Sequence, residues 1–206
     1  MSIVTLNDRG VRSVTTFGSL NTGSMIFIKK LTASSSSTLS FLNGSSDVVF
    51  DSTYKQYLFT FKDIHPSADN VDGLGFQVDT GTNTNYNQTI TSSYFRATHG
   101  EDGTGGAVAY QASQDQAQGT GFQNISQSVG TDNDQSIAGF LHIFEPASTT
   151  FVKHFIARTN VAHQSDITRD VHTGGYVNTT TALTRIQFKF NTGNIDAGDI
   201  CLYGIS

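Results

Sequence analysis

The residues able to do covalent or acid–base chemistry are few and scattered. The single cysteine, Cys201, lies between Ile200 and Leu202 in an apolar stretch, which reads as a small strand residue. No Gly-x-Ser-x-Gly elbow occurs. The only glutamates are Glu101 and Glu145, and the aspartates fall mostly in turn contexts such as Asp8, Asp51, Asp102 and Asp134. Hydrolysis by paired carboxylates needs an acid and a base held about 5–10 Å apart, whereas a turn aspartate normally bonds its own backbone. No catalytic residue is therefore assigned, and an enzyme is not expected. The six histidines, His65, His99, His142, His154, His163 and His172, show neither His-x-His nor His-x₃-His spacing. His142 and His154 fall on opposing candidate strands and are read as interior or interface residues. Asp69-Asn-Val-Asp-Gly73 and Asp132-Asn-Asp134 look like pieces of calcium loops without the closing bidentate glutamate. No metal ligand is assigned, and calcium stays open at these two loops. Gly103-Thr-Gly-Gly106 and Gly119-Thr-Gly121 lack the Lys-Ser/Thr of a phosphate cradle and read as turns, so no cofactor is expected.

Composition narrows the classes further. Of 206 residues only 14% are charged, against about 25% in ordinary soluble domains. The formal net charge is −5, with 22 serines and 27 threonines. Such a surface is kept wet by hydroxyls and amides, and it suits neither sequence-independent nucleic-acid binding nor a transmembrane span of about 18 or more apolar residues. Strong helix formers are scarce, which argues against a helix bundle. With no basic-then-apolar leader at Met1 and one cysteine, synthesis in a reducing cytoplasm is expected.

What must position these residues is a set of strands. In Tyr54–Ile64, Tyr57, Phe59 and Phe61 alternate with Leu58, Thr60 and Lys62, the period of a half-buried strand. Leu74, Phe76 and Val78 repeat the pattern. Ser136–Phe144 is apolar on both faces and predicts a central strand buried on both sides. Thr150–Arg158 places Val152 and Ile156 opposite Phe151 and Phe155. Ile186, Phe188 and Phe190 form one clean face, and Ile200–Ile205 closes the series. Val11–Phe17, Ser24–Thr32 and Ser37–Phe41 are earlier strand candidates. The predicted core holds Phe59, Phe61, Phe76, Leu141, Ile143, Phe155, Ile186, Phe188 and Leu202. Turn signals at Asn43-Gly44, Asn70-Val-Asp-Gly73, Asp102-Gly103, Gly174-Gly175 and Thr192-Gly-Asn194 separate the runs. The expectation is an all-β, antiparallel β-sandwich of jelly-roll-like type with little helix. Gly100–Ser136 reads as long polar loops, with a short helix near Ser113–Gln118.

The Ser34–Ser37 run offers one boundary. Residues 1–34 are read as an N-terminal arm or as the first strands, and residues 35–206 as the sandwich. An arm of residues 1–33 could fasten the protein to a partner by adding a strand to its sheet. Abundant aromatics on a weakly charged scaffold suit subunit packing, so a homo-oligomer is expected.

A family resemblance rests on Ser35-Ser-Ser-Thr-Leu-Ser-Phe41, on Tyr54–Ile64 running into His65-Pro-Ser67, on Ala117-Gln-Gly-Thr-Gly-Phe122 and on Thr150–Ile156. The last segment is the terminus Gly193-Asn-Ile-Asp-Ala-Gly-Asp-Ile-Cys-Leu-Tyr-Gly-Ile205. Over about residues 35–206 the chain resembles small jelly-roll virion proteins of tailed, often marine, bacteriophages, of the tail-fibre-head and capsid-decoration type. The resemblance implies a non-enzymatic virion surface component, assembled in the host cytoplasm, packed as a homotrimer and bound to capsid or tail proteins. The long shaft of a complete fibre is missing, which favours a knob, a baseplate or tail accessory, or a decoration. An alternative is a lectin-like module that binds host surface glycans. Neither a nucleic-acid nor a membrane partner is implied.

Overall fold

The computed structural model describes residues 24–69 and 72–206. Alternating inward and outward side chains give strands, most of them with apolar inward positions, and no helix occurs among the described residues. The strands are β1 (Met25–Thr32), β2 (Leu39–Leu42), β3 (Gln56–Pro66), β4 (Leu74–Thr80), β5 (Ile90–Gly100), β6 (Ala107–Tyr110), β7 (Ala117–Gly119), β8 (Gln123–Asn124), β9 (Ile137–Phe144), β10 (Lys153–His163), β11 (Ile167–Val177), β12 (Leu183–Phe190) and β13 (Ile195–Ile205).

They form two antiparallel sheets packed as a sandwich. The large sheet has nine strands in the order β1-β13-β3-β9-β10-β11-β5-β6, with β7 also paired to β5; the small sheet has four, β2-β12-β4-β8. The chain crosses repeatedly between them, from β1 to β2 to β3 to β4 to β5 and again from β11 to β12 to β13.

The core lies between the sheets and is rich in aromatic rings. Phe59 and Phe188 face each other from opposite sheets at 5.4 Å, Phe41 meets Phe59 at 5.3 Å, and Phe76 meets Phe155 at 5.0 Å. Each such pair contributes about 0.5–1.5 kcal/mol beyond area burial. All the residues expected in the core are buried: Phe59, Phe61, Phe76, Leu141, Ile143, Phe155, Ile186, Phe188 and Leu202.

Ser24–Thr32 forms a strand as expected, β1, paired with β13 along its length from Met25↔Ile205 to Thr32↔Asp199, while several other local expectations change. The serine run does not loosen it from the sheet. The amide of Ala33 donates to the Gly198 carbonyl at 2.8 Å, Ser36 bridges Ile195, and the Ser35 hydroxyl donates to Asp196 at 2.5 Å. Val11–Phe17 lies outside the described residues. Gly174-Gly175 is no turn: both residues sit inside β11, paired with Ile156 and Phe155 of β10. A Cβ on Gly175 would come within 2.3 Å of the Thr91 carbonyl oxygen, so close strand packing, and not a reversal, accounts for glycine there. The segment near Ser113–Gln118 holds a turn and then β7 in place of a helix.

Candidate interaction face

β9 is central in the large sheet, between β3 and β10, as its apolarity suggested. Its second face is nevertheless uncovered. The small sheet packs on one side only, so the even-numbered positions of β9 and β10 point away from the core. Phe140 and Ile156 are 36% and 54% exposed, whereas Leu141 and Phe155 between and beside them are buried. Phe151 precedes β10 and is also exposed.

Register aligns these outward residues into rows. One runs Phe27, Tyr203, Leu58, His142, Ile156, Gly174 and Ser93 across six strand pairings. The next runs Cys201, Thr60, Phe140, Arg158, His172, Phe95 and Tyr110. Rings touch along and between the rows: Phe27 with Tyr203 at 5.6 Å, Phe140 with His142 at 5.5 Å, and His142 with Phe144 at 5.9 Å. Phe95 and His172 stack nearly parallel. Between them and Phe140, Arg158 forks onto Asp170, with Nε to Oδ1 at 3.0 Å and Nη2 to Oδ2 at 2.7 Å. The Arg158 bond holds the Asp170 carboxyl below the usual carboxylate range, despite partial burial. Partial burial pushes the His142 imidazole down, which favours its neutral form. Phe95, Phe140, Ile156, Arg158 and His172 border a shallow hollow of about 310 Å³.

The chemistry-bearing residues singled out in the sequence do not converge. Cys201 takes an outward position on β13, opposite Thr60. Glu145 is exposed just after β9 and pairs with Lys55 at 3.6 Å. His142 lies across from Ile156, not His154, and the His154 ring meets Tyr176 at 6.0 Å. His65 approaches the Asp132 carbonyl at 3.3 Å. In the loops resembling calcium fragments, Asp69 is engaged by Thr131, whose amide donates at 2.8 Å and whose hydroxyl donates at 2.5 Å. Outside those loops, the turn residue Asp102 accepts from the Thr104 amide and hydroxyl in the same way. These bonds hold both carboxyls below their usual range. No group of three metal-ligating side chains occurs among the described residues.

Sequence reasoning missed β5 and β11, and with them Phe95 and His172. Their inward positions are mostly hydroxyl, glycine or arginine residues, so the apolar alternation that marks a strand is absent. The available signal was the aromatic pair Tyr94-Phe95 in a Thr/Ser-rich run. Comparison with family models, with curated proteins and with solved structures gives no match for this chain.

Proposed function

We propose that this protein is a non-enzymatic structural component of a bacteriophage virion, a surface element such as a tail or fibre knob or a capsid decoration, that works by packing its large sheet against other protein surfaces. The observation that carries this reading is the uncovered aromatic face of the nine-stranded sheet. Phe95, Phe140 and Ile156 stand exposed around the Arg158–Asp170 fork, and Phe27 is exposed farther along the same face, on β1. Aromatic residues with an arginine at the centre and polar residues around them are the composition of a protein interface core and rim. The virion assignment itself rests on the terminal Gly193–Ile205 pattern and the other segments that resemble phage proteins. The same resemblance supplies the threefold order.

Light scattering on the full chain tests the assembly, with a mass near three chains as the expected result and a monomer at all accessible concentrations as the contrary one. Mass spectrometry of purified particles tests the location. Hundreds of copies per particle point to decoration, and about a dozen to the tail; absence from the particle removes the virion reading.

A second reading, host-glycan binding, is favoured by one feature. The flat Phe95–His172 stack beside a charged fork and a shallow hollow is a surface on which a sugar ring can lie. A glycan array with the full chain and with Phe95→Ser separates the two readings.

A further inference from the structure

The inner face of the large sheet carries a second polar cluster, beyond the edge of the four-stranded sheet. Tyr94 on β5 and Thr173 on β11 are directly opposite each other, and Arg96 lies two residues along β5 on the same face. Arg169, two residues before Val171, is the diagonal neighbour of Arg96. Residues 125–130 lie across them. The Thr159 hydroxyl donates to the Ile125 carbonyl at one end of this strap, and Val129 bridges His163 at the other. Both guanidinium groups meet the strap at one residue: Arg96 Nη1 donates to the Gln127 side-chain oxygen, and Arg169 Nη1 to the Gln127 carbonyl at 3.4 Å.

The hydrogen-bond balance of this cluster is one-sided. Tyr94 Oη, Thr173 Oγ1, Arg96 Nε and Arg169 Nε are all buried and without a partner. Tyr94 is fully buried and Thr173 only 2% exposed. Each of these groups can donate, and two carry positive charge. Among the described residues neither arginine forms an ion pair with a carboxylate; the only arginine so paired is Arg158. Two like charges under a strap, without a counter-ion, are costly. The cost is visible in Arg169, whose guanidinium is pushed down to about 10 by burial and by the neighbouring Arg96 charge. A ligand complementary to unspent donors and excess positive charge is negative and rich in acceptors.

We propose that Arg96, Arg169, Tyr94 and Thr173 form a binding site for a small oxyanion, of the sulfate, phosphate or sugar-carboxylate class. Guanidinium groups suit this chemistry because their fixed N–H directions match the paired oxygens of such anions. The site lies on the inner face of the sheet, opposite to the aromatic rows, and does not depend on how those rows are used.

The test is thermal melting and calorimetric titration of the full chain with sodium sulfate, sodium phosphate and sodium glucuronate, each at constant ionic strength made up with chloride. At least one anion is expected to raise the melting temperature saturably. A response to sulfate and phosphate alone marks an inorganic-anion site, and a response to glucuronate marks an acidic-sugar site. Arg169→Met is expected to abolish the response and, in chloride alone, to melt no lower than the wild type, because it relieves the like-charge contact. Tyr94→Phe and Thr173→Val, which keep both charges, are each expected to weaken binding by about tenfold or less. These two variants carry the test if Arg169→Met does not fold. No saturable response to any of the three anions overturns the proposal, as does an unchanged response in all of the variants that fold.

Discussion

Phe95 and His172 are cross-strand partners on the outer face of the large sheet, and their rings stack with centroids 4.8 Å apart and planes 6° apart. The same imidazole reaches Asp170 at 3.3 Å, and Asp170 in turn holds Arg158. A flat ring pair is thus tied to an ion pair on three neighbouring strands. The groups are ordered before anything docks on them, which lowers the side-chain entropy lost on binding.

Substitutions on this face separate association from folding. Phe140→Asp and Ile156→Asp replace exposed side chains, so the melting temperature of the isolated chain is expected to stay within a few degrees of wild type. The oligomer is expected to dissociate, because a carboxylate buried in an apolar contact lacks a partner. Analytical ultracentrifugation gives the readout; an unchanged mass places the subunit contact elsewhere.

Core truncation has the opposite signature. Phe188 is fully buried; it touches Phe59 and Phe61 across the sandwich and Phe41 on the neighbouring strand of its own sheet. Phe188→Ala is expected to cost about 3–5 kcal/mol in urea unfolding. A loss below about 1 kcal/mol would contradict the packing between the two sheets.

Stability is expected to fall with acid through His163. Burial first, then the charges of Arg169 and Arg96, push its imidazole down to about 4. Its Nδ1 accepts the Ser165 amide at 3.0 Å, a bond that only the unprotonated nitrogen can make. The unfolded chain, with an ordinary histidine near 6.5, binds the proton more readily than the folded one. The contribution is therefore full above about pH 6.5 and is lost as pH falls toward about 4, by at most about 3 kcal/mol. Urea melts at pH 7 and pH 4.5 measure this, and His163→Gln is expected to flatten the difference.

β1 is expected to be part of the folding unit. Ile28 and Leu31 pack against the core, and the strand covers the edge of β13. A chain beginning at Ser24 is expected to melt close to the full-length protein. One beginning at Ser35 is expected to melt lower and to aggregate, because β13 becomes a bare edge. Equal melting of the two truncated chains would return residues 25–32 to the role of a detachable arm.

Period-two alternation alone placed β3, β4, β9, β12 and the inward set from Phe59 to Leu202, because successive side chains of a strand point to opposite faces whatever the strand pairs with. The same rule could not recover β5 and β11. Their inward residues include Tyr94, Arg96, Arg169 and Thr173, which break the apolar alternation, and they are recognisable as strands only through pairing with each other and with β10. Nor could it tell a covered face from an open one. Phe140 and Leu141 are both large and apolar, but Leu141 is buried under the small sheet and Phe140 is not. That difference follows from the small sheet packing on one face of the large sheet only, which long-range pairing decides. The amino-acid sequence thus determined the strands with an apolar inward face, whereas only the tertiary structure decided the polar-faced strands β5 and β11, which outward faces stay uncovered and which distant arginines share a site, because these depend on contacts between segments far apart in the chain.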